Sequence, residues 1–192
     1  MRSIRTIAIF FIATLCVVGQ QSSPPHRLAE SMQRKLTHIQ ENAALAHRDR
    51  TPTVMTEEEV NDYIAAGRLK LPQGVKKLTF QGQSGVLTAL ASVDFEEILE
   101  ERHSSNPLLA IFSGTRIVRV EADASGAAGQ GRVHVRTVTL DGVEVPRMAL
   151  EFFLSRYITP RYPYVGMDSV FPLRDRIDTA TIGYHKLTVT QN

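Results

Sequence analysis

Cysteine is nearly absent from this sequence, since its 192 residues contain one, Cys16. A disulfide bond within the chain needs two cysteines, so no disulfide framework is possible. The six histidines stand at positions 26, 38, 47, 103, 134 and 185. They are never four residues apart, which argues against a zinc site of the usual spacing, and we expect no metal site. Stability must come from an ordinary hydrophobic core, which a chain of this length can build as one domain.

The chain also lacks an excess of charge of either sign. Lysine and arginine number 22, aspartate and glutamate number 20, and no basic run occurs. Proteins that bind nucleic acids normally carry a clustered basic patch that contacts phosphates. We therefore expect no nucleic-acid partner.

The longest apolar run lies at the N-terminus and is too short to span a bilayer. Arg2 and Arg5 precede an apolar stretch over residues 7–18, whereas a transmembrane helix needs about twenty apolar residues. A charged start followed by a short apolar stretch is typical of an export signal. We predict a signal peptide over residues 1–19, cleaved near Gly19, and a mature protein that is periplasmic or secreted.

Two alternatives to this cleavage remain open. The first is an uncleaved N-terminal anchor, formed by the same apolar stretch. The second is lipid attachment at Cys16, although a lipoprotein signal places a small residue before the cysteine and Leu15 is not small. Cleavage near Gly19 leaves a mature chain of balanced charge, for which we expect membrane contact that is peripheral at most.

Three longer segments have the spacing of amphipathic helices. Residues 27–48 contain no glycine or proline and repeat apolar side chains at helical spacing. A second helix is predicted to begin at Thr56, where Glu59 completes a capping box, and to end near Gly67. The third follows Pro146 and extends to residue 158. Its apolar side chains are those of Met148, Ala149, Phe152, Phe153 and Tyr157.

Alternating apolar and polar residues predict strands over most of the remaining chain. The predicted strands cover residues 75–81, 84–95, 116–124, 131–145 and 177–190. Residues 125–131 are predicted to form a hairpin loop, Asp141-Gly142 a tight turn or bulge, and residues 160–172 an irregular connection. The fold class that follows is α+β, a long curved antiparallel sheet with helices packed on it.

The predicted organisation places the N-terminal helix before a single domain. The boundaries are a signal peptide at 1–19, a helix and linker at 20–52 and an α+β domain at 53–192. The helix has one apolar stripe, formed by Leu28, Met32, Leu36, Ile39 and Ala43. We expect this stripe to pack on the domain, and the alternative is a spacer that lifts the domain off a membrane or a partner.

No sequence motif indicates an enzyme. Residues 126–131 are rich in glycine, but a phosphate-binding loop joins a strand to a helix and this one is flanked by two strands. Ser84 lacks the Gly-x-Ser-x-Gly frame of a nucleophile elbow. We predict no catalytic residue and no cofactor. An envelope hydrolase, in which a serine or a carboxylate pair converges on a histidine, stays open as an alternative.

Apolar surface is the remaining feature with functional meaning. The strand at 84–95 is apolar on one face and partly apolar on the other, and the helix at 147–158 carries large apolar groups. A sheet crossed by such a helix can enclose a lipid-sized groove. The alternative is that the same side chains fill a dry core. The residues predicted to line the groove are Leu87, Ala89, Val93, Phe152, Phe153 and Tyr157.

Two motifs resemble a known family. Residues 56–64 read Thr-Glu-Glu-Glu-Val-Asn-Asp-Tyr-Ile, and residues 140–146 read Leu-Asp-Gly-Val-Glu-Val-Pro before a predicted helix. With the signal peptide and the long strands, this order resembles envelope proteins of the LmeA-type phospholipid-binding class, which are similar in plan to tubular lipid-binding (TULIP-like) domains. The resemblance spans residues 53–190. It implies acyl chains in a groove between a helix and a curved sheet, and no catalytic residue.

The sequence therefore predicts an exported, non-enzymatic envelope protein that binds a lipid or another apolar ligand between sheet and helix. The alternative is an interaction or assembly module of the cell envelope. In that case the helix at 27–48 would dock onto an envelope protein partner.

Overall fold

A computed structural model describes residues 26–47, 49–99, 111–163 and 165–192. The predicted signal peptide lies outside these residues. The described residues form an α+β fold with helices packed on an antiparallel sheet, as the sequence predicted. The helices are α1 Arg27–Ala44, α2 Glu57–Ala65, α3 Phe95–Leu99 and α4 Arg147–Phe153, which continues as a π-helical turn over Leu154–Ile158.

The strands form one sheet with a branch. They are β1 Thr53–Thr56, β2 Val75–Gln83, β3 Val86–Asp94, β4 Thr115–Ala127, β5 Gln130–Leu140, β6 Val143–Glu144, β7 Asp168–Pro172, β8 Ile177–Gly183 and β9 Lys186–Gln191. The order is β1-β9-β8-β4-β3-β2, and β5 pairs with β4, β6 and β7. Along one edge β4 pairs with β3 as far as Asp123 and then with β8 at Ser125 and Gly126. The 13-residue β4 thus joins the two halves of the sheet.

Two predicted turns have the backbone geometry that tight hairpins need. Ala128 and Gly129, between β4 and β5, have φ angles of 51° and 73°, and Asp141 and Gly142, between β5 and β6, have 49° and 85°. Positive φ at both central residues matches the twist of the flanking strands. The loop predicted over 125–131 therefore shrinks to two residues, and the Asp141-Gly142 turn is confirmed.

Besides β1, for which no strand was predicted, three segments differ from the prediction. Residues 177–190 form the hairpin β8–β9 in place of one strand, and the turn between them contains His185 at a φ of 51°. The connection predicted over 160–172 contains β7, which pairs with β5. The first helix ends at Ala44 and not at residue 48. β7 exists through its pairing with β5, and the Tyr184-His185 turn lacks the Asn-Gly or Asp-Gly pair that indicates a tight hairpin in a sequence.

The core is divided into two hydrophobic clusters. The α4 cluster consists of Val93, Phe95, Phe112, Val138, Leu140, Val145, Ala149, Leu150, Phe153, Tyr157 and Met167. The α1 cluster consists of Met32, Ile39, Met55 and Val189, with half-buried neighbours that include Leu36, Val60 and Leu187. Helix α1 therefore packs on α2 and on the sheet, as the packing interpretation of its stripe expected.

Local signals explain how α2 begins and ends. The Thr56 hydroxyl accepts from the Glu59 amide, and the Glu59 carboxylate accepts from the Thr56 amide, which confirms the predicted capping box. At the other end Gly67 has a φ of 69° and donates to the Ile64 carbonyl, while Arg68 donates to Tyr63. These two bonds form a Schellman motif, which only a residue tolerant of positive φ can close cheaply.

Asn61 on α2 covers part of the open edge of β2. Its side-chain amide donates to the Phe80 carbonyl at 2.9 Å, and its side-chain oxygen accepts from the Phe80 amide at 2.8 Å. An edge strand otherwise presents unpaired backbone groups that invite pairing with another chain. The pair of bonds fixes the position of α2 above the sheet.

We expect Asn61→Ala to lower the free energy of unfolding by about 1–3 kcal/mol, because it leaves two half-buried backbone groups of Phe80 without partners. Urea denaturation followed by circular dichroism measures the loss. Gln81→Ala is the matched control, since Gln81 is exposed on the same strand, and its effect should stay within about 0.5 kcal/mol. Equal losses in the two variants would contradict the role assigned to Asn61.

Candidate functional site

The space beneath α4 is filled by side chains. Val93, Phe153 and Tyr157, three of the six predicted groove residues, are buried in the α4 cluster. The Phe153 ring stacks on Phe112 with centroids 4.3 Å apart and lies 5.4 Å from the Tyr157 ring. Stacked and tilted rings at these distances are a packed aromatic core. The lipid-sized groove predicted at this helix is thus occupied by the protein's own rings.

The other predicted groove residues lie elsewhere. Phe152 is 37% exposed, although its neighbour Phe153 is buried. Leu87 and Ala89 lie further along β3, on the face of the sheet that they share with Val93. Ala89 is half-buried, and Leu87 lines a cavity beneath α2. The six residues therefore do not line one site.

This cavity, which we call the α2 cavity, has a volume of about 190 Å³. It lies where α2 crosses the junction of β1, β2, β3, β8 and β9. Its lining residues are Met55, Glu57, Val60, Phe80, Gly82, Leu87, Ile182, Lys186 and Leu187. Six of these nine have uncharged apolar side chains, so the walls repel water and favour an apolar occupant.

Two hairpin turns meet beside the α2 cavity. Gly85 donates to the Ile182 carbonyl and His185 donates to the Gly82 carbonyl, both at 2.9 Å. The approach is close, because a Cβ atom added at Gly82 would stand 3.1 Å from the Gly183 carbonyl oxygen. These bonds hold the β2–β3 hairpin against the β8–β9 hairpin and so bring the walls of the cavity together.

Charged groups stand at the rim of the α2 cavity. The Glu57 carboxylate accepts from the Gly82 amide at 3.0 Å and contacts the His185 ring nitrogen at 2.7 Å. The Glu57 amide in turn donates to the His185 carbonyl. Lys186 also lines the cavity. An apolar interior with a polar rim is the general composition of small-molecule sites.

The volume limits what the α2 cavity can hold. An engineered apolar cavity of about 150 Å³ binds benzene, whereas sites for drug-sized ligands measure about 300–1,000 Å³. At about 190 Å³, this cavity suits a small apolar group or the end of a single chain. A two-chain lipid is too large for it.

A second hollow, of about 310 Å³, is lined by residues of β4, β5 and β7, six of which are polar and two of which are valines. Asp168 there contacts both His134 and Arg147. The hydrogen bond from His134 lowers the pKa of Asp168 below its ordinary value. All three side chains are largely exposed, and exposed ion pairs of this kind contribute little free energy. In the described residues no three histidine or acidic side chains converge as a metal site would require.

Ser84 lies in the turn between β2 and β3, beside the turn that contains His185. The His185 ring faces Glu57. Within the described parts of the chain, however, the Ser84 hydroxyl makes no hydrogen bond to His185 or to any other residue. A serine nucleophile needs such a bond to its base, so Ser84 is not placed as the nucleophile of the hydrolase alternative.

Comparison of the chain with protein-family models, with curated proteins and with solved structures gave no match. The resemblance to the phospholipid-binding class therefore stays a prediction. None of the helices that the structure describes is both long enough and apolar enough to cross a membrane.

Sequence reasoning missed most of the α2 cavity. Of its lining residues only Leu87 belonged to the predicted groove. Val60 lies in the second predicted helix, but the capping pattern contains no information about what that helix covers. Met55 and Leu187 are far apart in the sequence and meet because β1 pairs with β9.

Proposed function

We propose that this protein is a non-enzymatic binding protein that takes a small apolar group, or the end of one apolar chain, into the α2 cavity. The observation that supports this is the cavity itself, with its apolar walls and its polar rim. An apolar ligand that replaces water there gains about 25 cal/mol for each Å² of apolar surface that is buried.

The proposal keeps the ligand class expected from the sequence and changes its place and its size. The ligand lies under α2 and not under α4, and the volume favours one chain over a two-chain lipid. Export to the periplasm or the exterior is part of the proposal and rests on the sequence of residues 1–19.

The alternative, an assembly module that docks through the N-terminal helix, has less support. Met32 and Ile39 of the predicted stripe are buried in the α1 cluster, and Ala29 beside them is fully buried. A docking helix needs a free apolar face. In α1 most of this face is covered by α2 and the sheet, and Leu28 is the member of the stripe that stays exposed, at 42%.

We expect 1-octanol to bind the purified protein with a dissociation constant on the order of 0.1 mM, because few heavy atoms are available to contribute binding energy. Nuclear magnetic resonance of the side-chain methyl groups is the measurement. The methyl signals of Val60, Leu87 and Ile182 should shift with saturation, while those of Val138 and Leu150 in the α4 cluster should stay in place.

Val60→Phe fills the α2 cavity and should weaken 1-octanol binding at least tenfold. Val143→Phe is the matched control, since Val143 is 71% exposed on β6 and lies outside the cavity. The control should bind 1-octanol as the wild type does. Saturable shifts confined to the α4 cluster, or no saturable shift in the wild type, would overturn the proposed function.

A further inference from the structure

We propose that the ligand of the α2 cavity is a single-chain amphiphile with an anionic head group, and that Lys186 holds this head group at the mouth. The inference rests on the proposed function, because it assigns the charge of the ligand end that stays outside the apolar walls. It makes Lys186 a residue that determines specificity.

Lys186 is placed to contribute both to the apolar wall of the cavity and to the charge at its mouth. Its carbon stem lies over Gly183, where an added Cβ atom would come within 3.2 Å of Cγ and Cε of Lys186. The stem thus contributes to the wall of the cavity. Lysine commonly packs its methylene groups on apolar surface while the ammonium group stays in water. The residue is exposed as a whole, so the ammonium group can meet a ligand from solvent.

The ammonium group of Lys186 has no acidic partner in the ranges that the structure describes. The carboxylate at the same rim, Glu57, is already engaged by the Gly82 amide and the His185 ring. The oxygen of Glu57 that faces this rim therefore already has hydrogen-bonding partners within the protein. The cation that remains available at the mouth is Lys186, which favours an anionic head group over a cationic one.

The number of apolar chains in the ligand follows from the size of the α2 cavity. The cavity holds about 190 Å³, and its walls are fixed by backbone hydrogen bonds between two hairpins. A lysine binds a carboxylate or a phosphate as a point charge, without the fork geometry of arginine. The ligand class is thus a single apolar chain that ends in an anionic group, which one lysine contacts. Octanoate is the simplest probe of this class.

The test compares three probes of equal chain length, which are octanoate, 1-octanol and octylammonium, at pH 7 and low salt by isothermal titration calorimetry. Low salt matters because screening weakens an exposed ion pair. For the wild type we expect octanoate to bind about two- to fivefold more tightly than 1-octanol, and octylammonium to bind most weakly.

Lys186→Met keeps a stem of similar length and removes the charge. It should lose the preference for octanoate while its affinity for 1-octanol stays within about twofold. Lys77→Met is the matched control, because Lys77 is exposed on β2 and does not line the cavity. This control should keep the octanoate preference of the wild type.

Four outcomes would overturn the inference, and only the last of them also overturns the proposed function. If 1-octanol and octanoate bind the wild type equally, or if Lys186→Met keeps the preference, the cavity binds apolar chains but the anionic assignment is wrong. If vesicles of phosphatidylglycerol displace octanoate, the single-chain assignment is wrong. If none of the three probes binds, both the inference and the proposed function are wrong.

Discussion

Phe153→Ala is expected to lower the free energy of unfolding by about 3–5 kcal/mol, the usual cost of deleting a buried aromatic ring. Phe153 is 5% exposed and its ring contacts those of Phe95, Phe112 and Tyr157. The loss includes the transfer of the ring to water, the cavity that remains and the ring contacts themselves. Urea denaturation followed by circular dichroism measures it.

Phe152→Ala is the matched control, because it removes the same side chain one position earlier in α4. Phe152 is 37% exposed and lies outside the α4 cluster. Its replacement should cost less than about 1 kcal/mol. If the two alanine variants unfold at the same urea concentration, the ring at position 153 does not carry the packing that the structure assigns to it.

Phe152 and Phe153 also show which part of the fold could not be predicted from the sequence. Helical spacing predicted α4, but both Phe152 and Phe153 have apolar partners four residues away, at Met148 and Ala149. From the spacing alone, the helix could bury either of two neighbouring faces. The choice depends on the sheet beneath, because Phe153 packs with sheet residues in the α4 cluster and Phe152 does not.

The elements that the sequence predicted correctly are those with local physical causes. The capping box of α2 and the Asp141-Gly142 turn depend on side chains and backbone angles within a few residues. β1 and β7 were missed because each is short and exists through its pairing with a strand distant in sequence. The α2 cavity has the same origin, since pairings across the whole chain bring its walls together.

Between α1 and α2 lies a cluster of polar side chains that is separate from the two hydrophobic clusters and is centred on the carboxylate of Glu59. Glu59 is 5% exposed and its carboxylate accepts from Lys35 at 2.6 Å, from Ser31 at 2.6 Å and from the Thr56 amide at 2.8 Å. Burial raises the pKa of Glu59, but these hydrogen bonds outweigh burial and hold the pKa below its ordinary value of 4.5. The carboxylate is therefore charged at neutral pH and bridges both helices.

Glu59→Ala is expected to lower the free energy of unfolding by about 3 kcal/mol at pH 7. Breaking a buried ion pair costs about 3–5 kcal/mol, and the value lies at the low end because Lys35 is 31% exposed and can regain water. The variant also loses the capping box, which contributes on the order of 1 kcal/mol. Glu58→Ala is the matched control, since Glu58 is exposed in the same helical turn, and it should cost less than about 0.5 kcal/mol.

The pH dependence of this loss separates the charge of Glu59 from its size. Because the pKa of Glu59 is lower in the folded protein than in the unfolded chain, its ionised form contributes stability above pH 4.5. This contribution disappears as the pH falls through the folded-state pKa. The difference in unfolding free energy between wild type and Glu59→Ala should therefore shrink below pH 4.5 when urea denaturation is repeated from pH 7 to pH 3. A difference that stays constant over this range would show that Glu59 stabilises the two helices through packing alone.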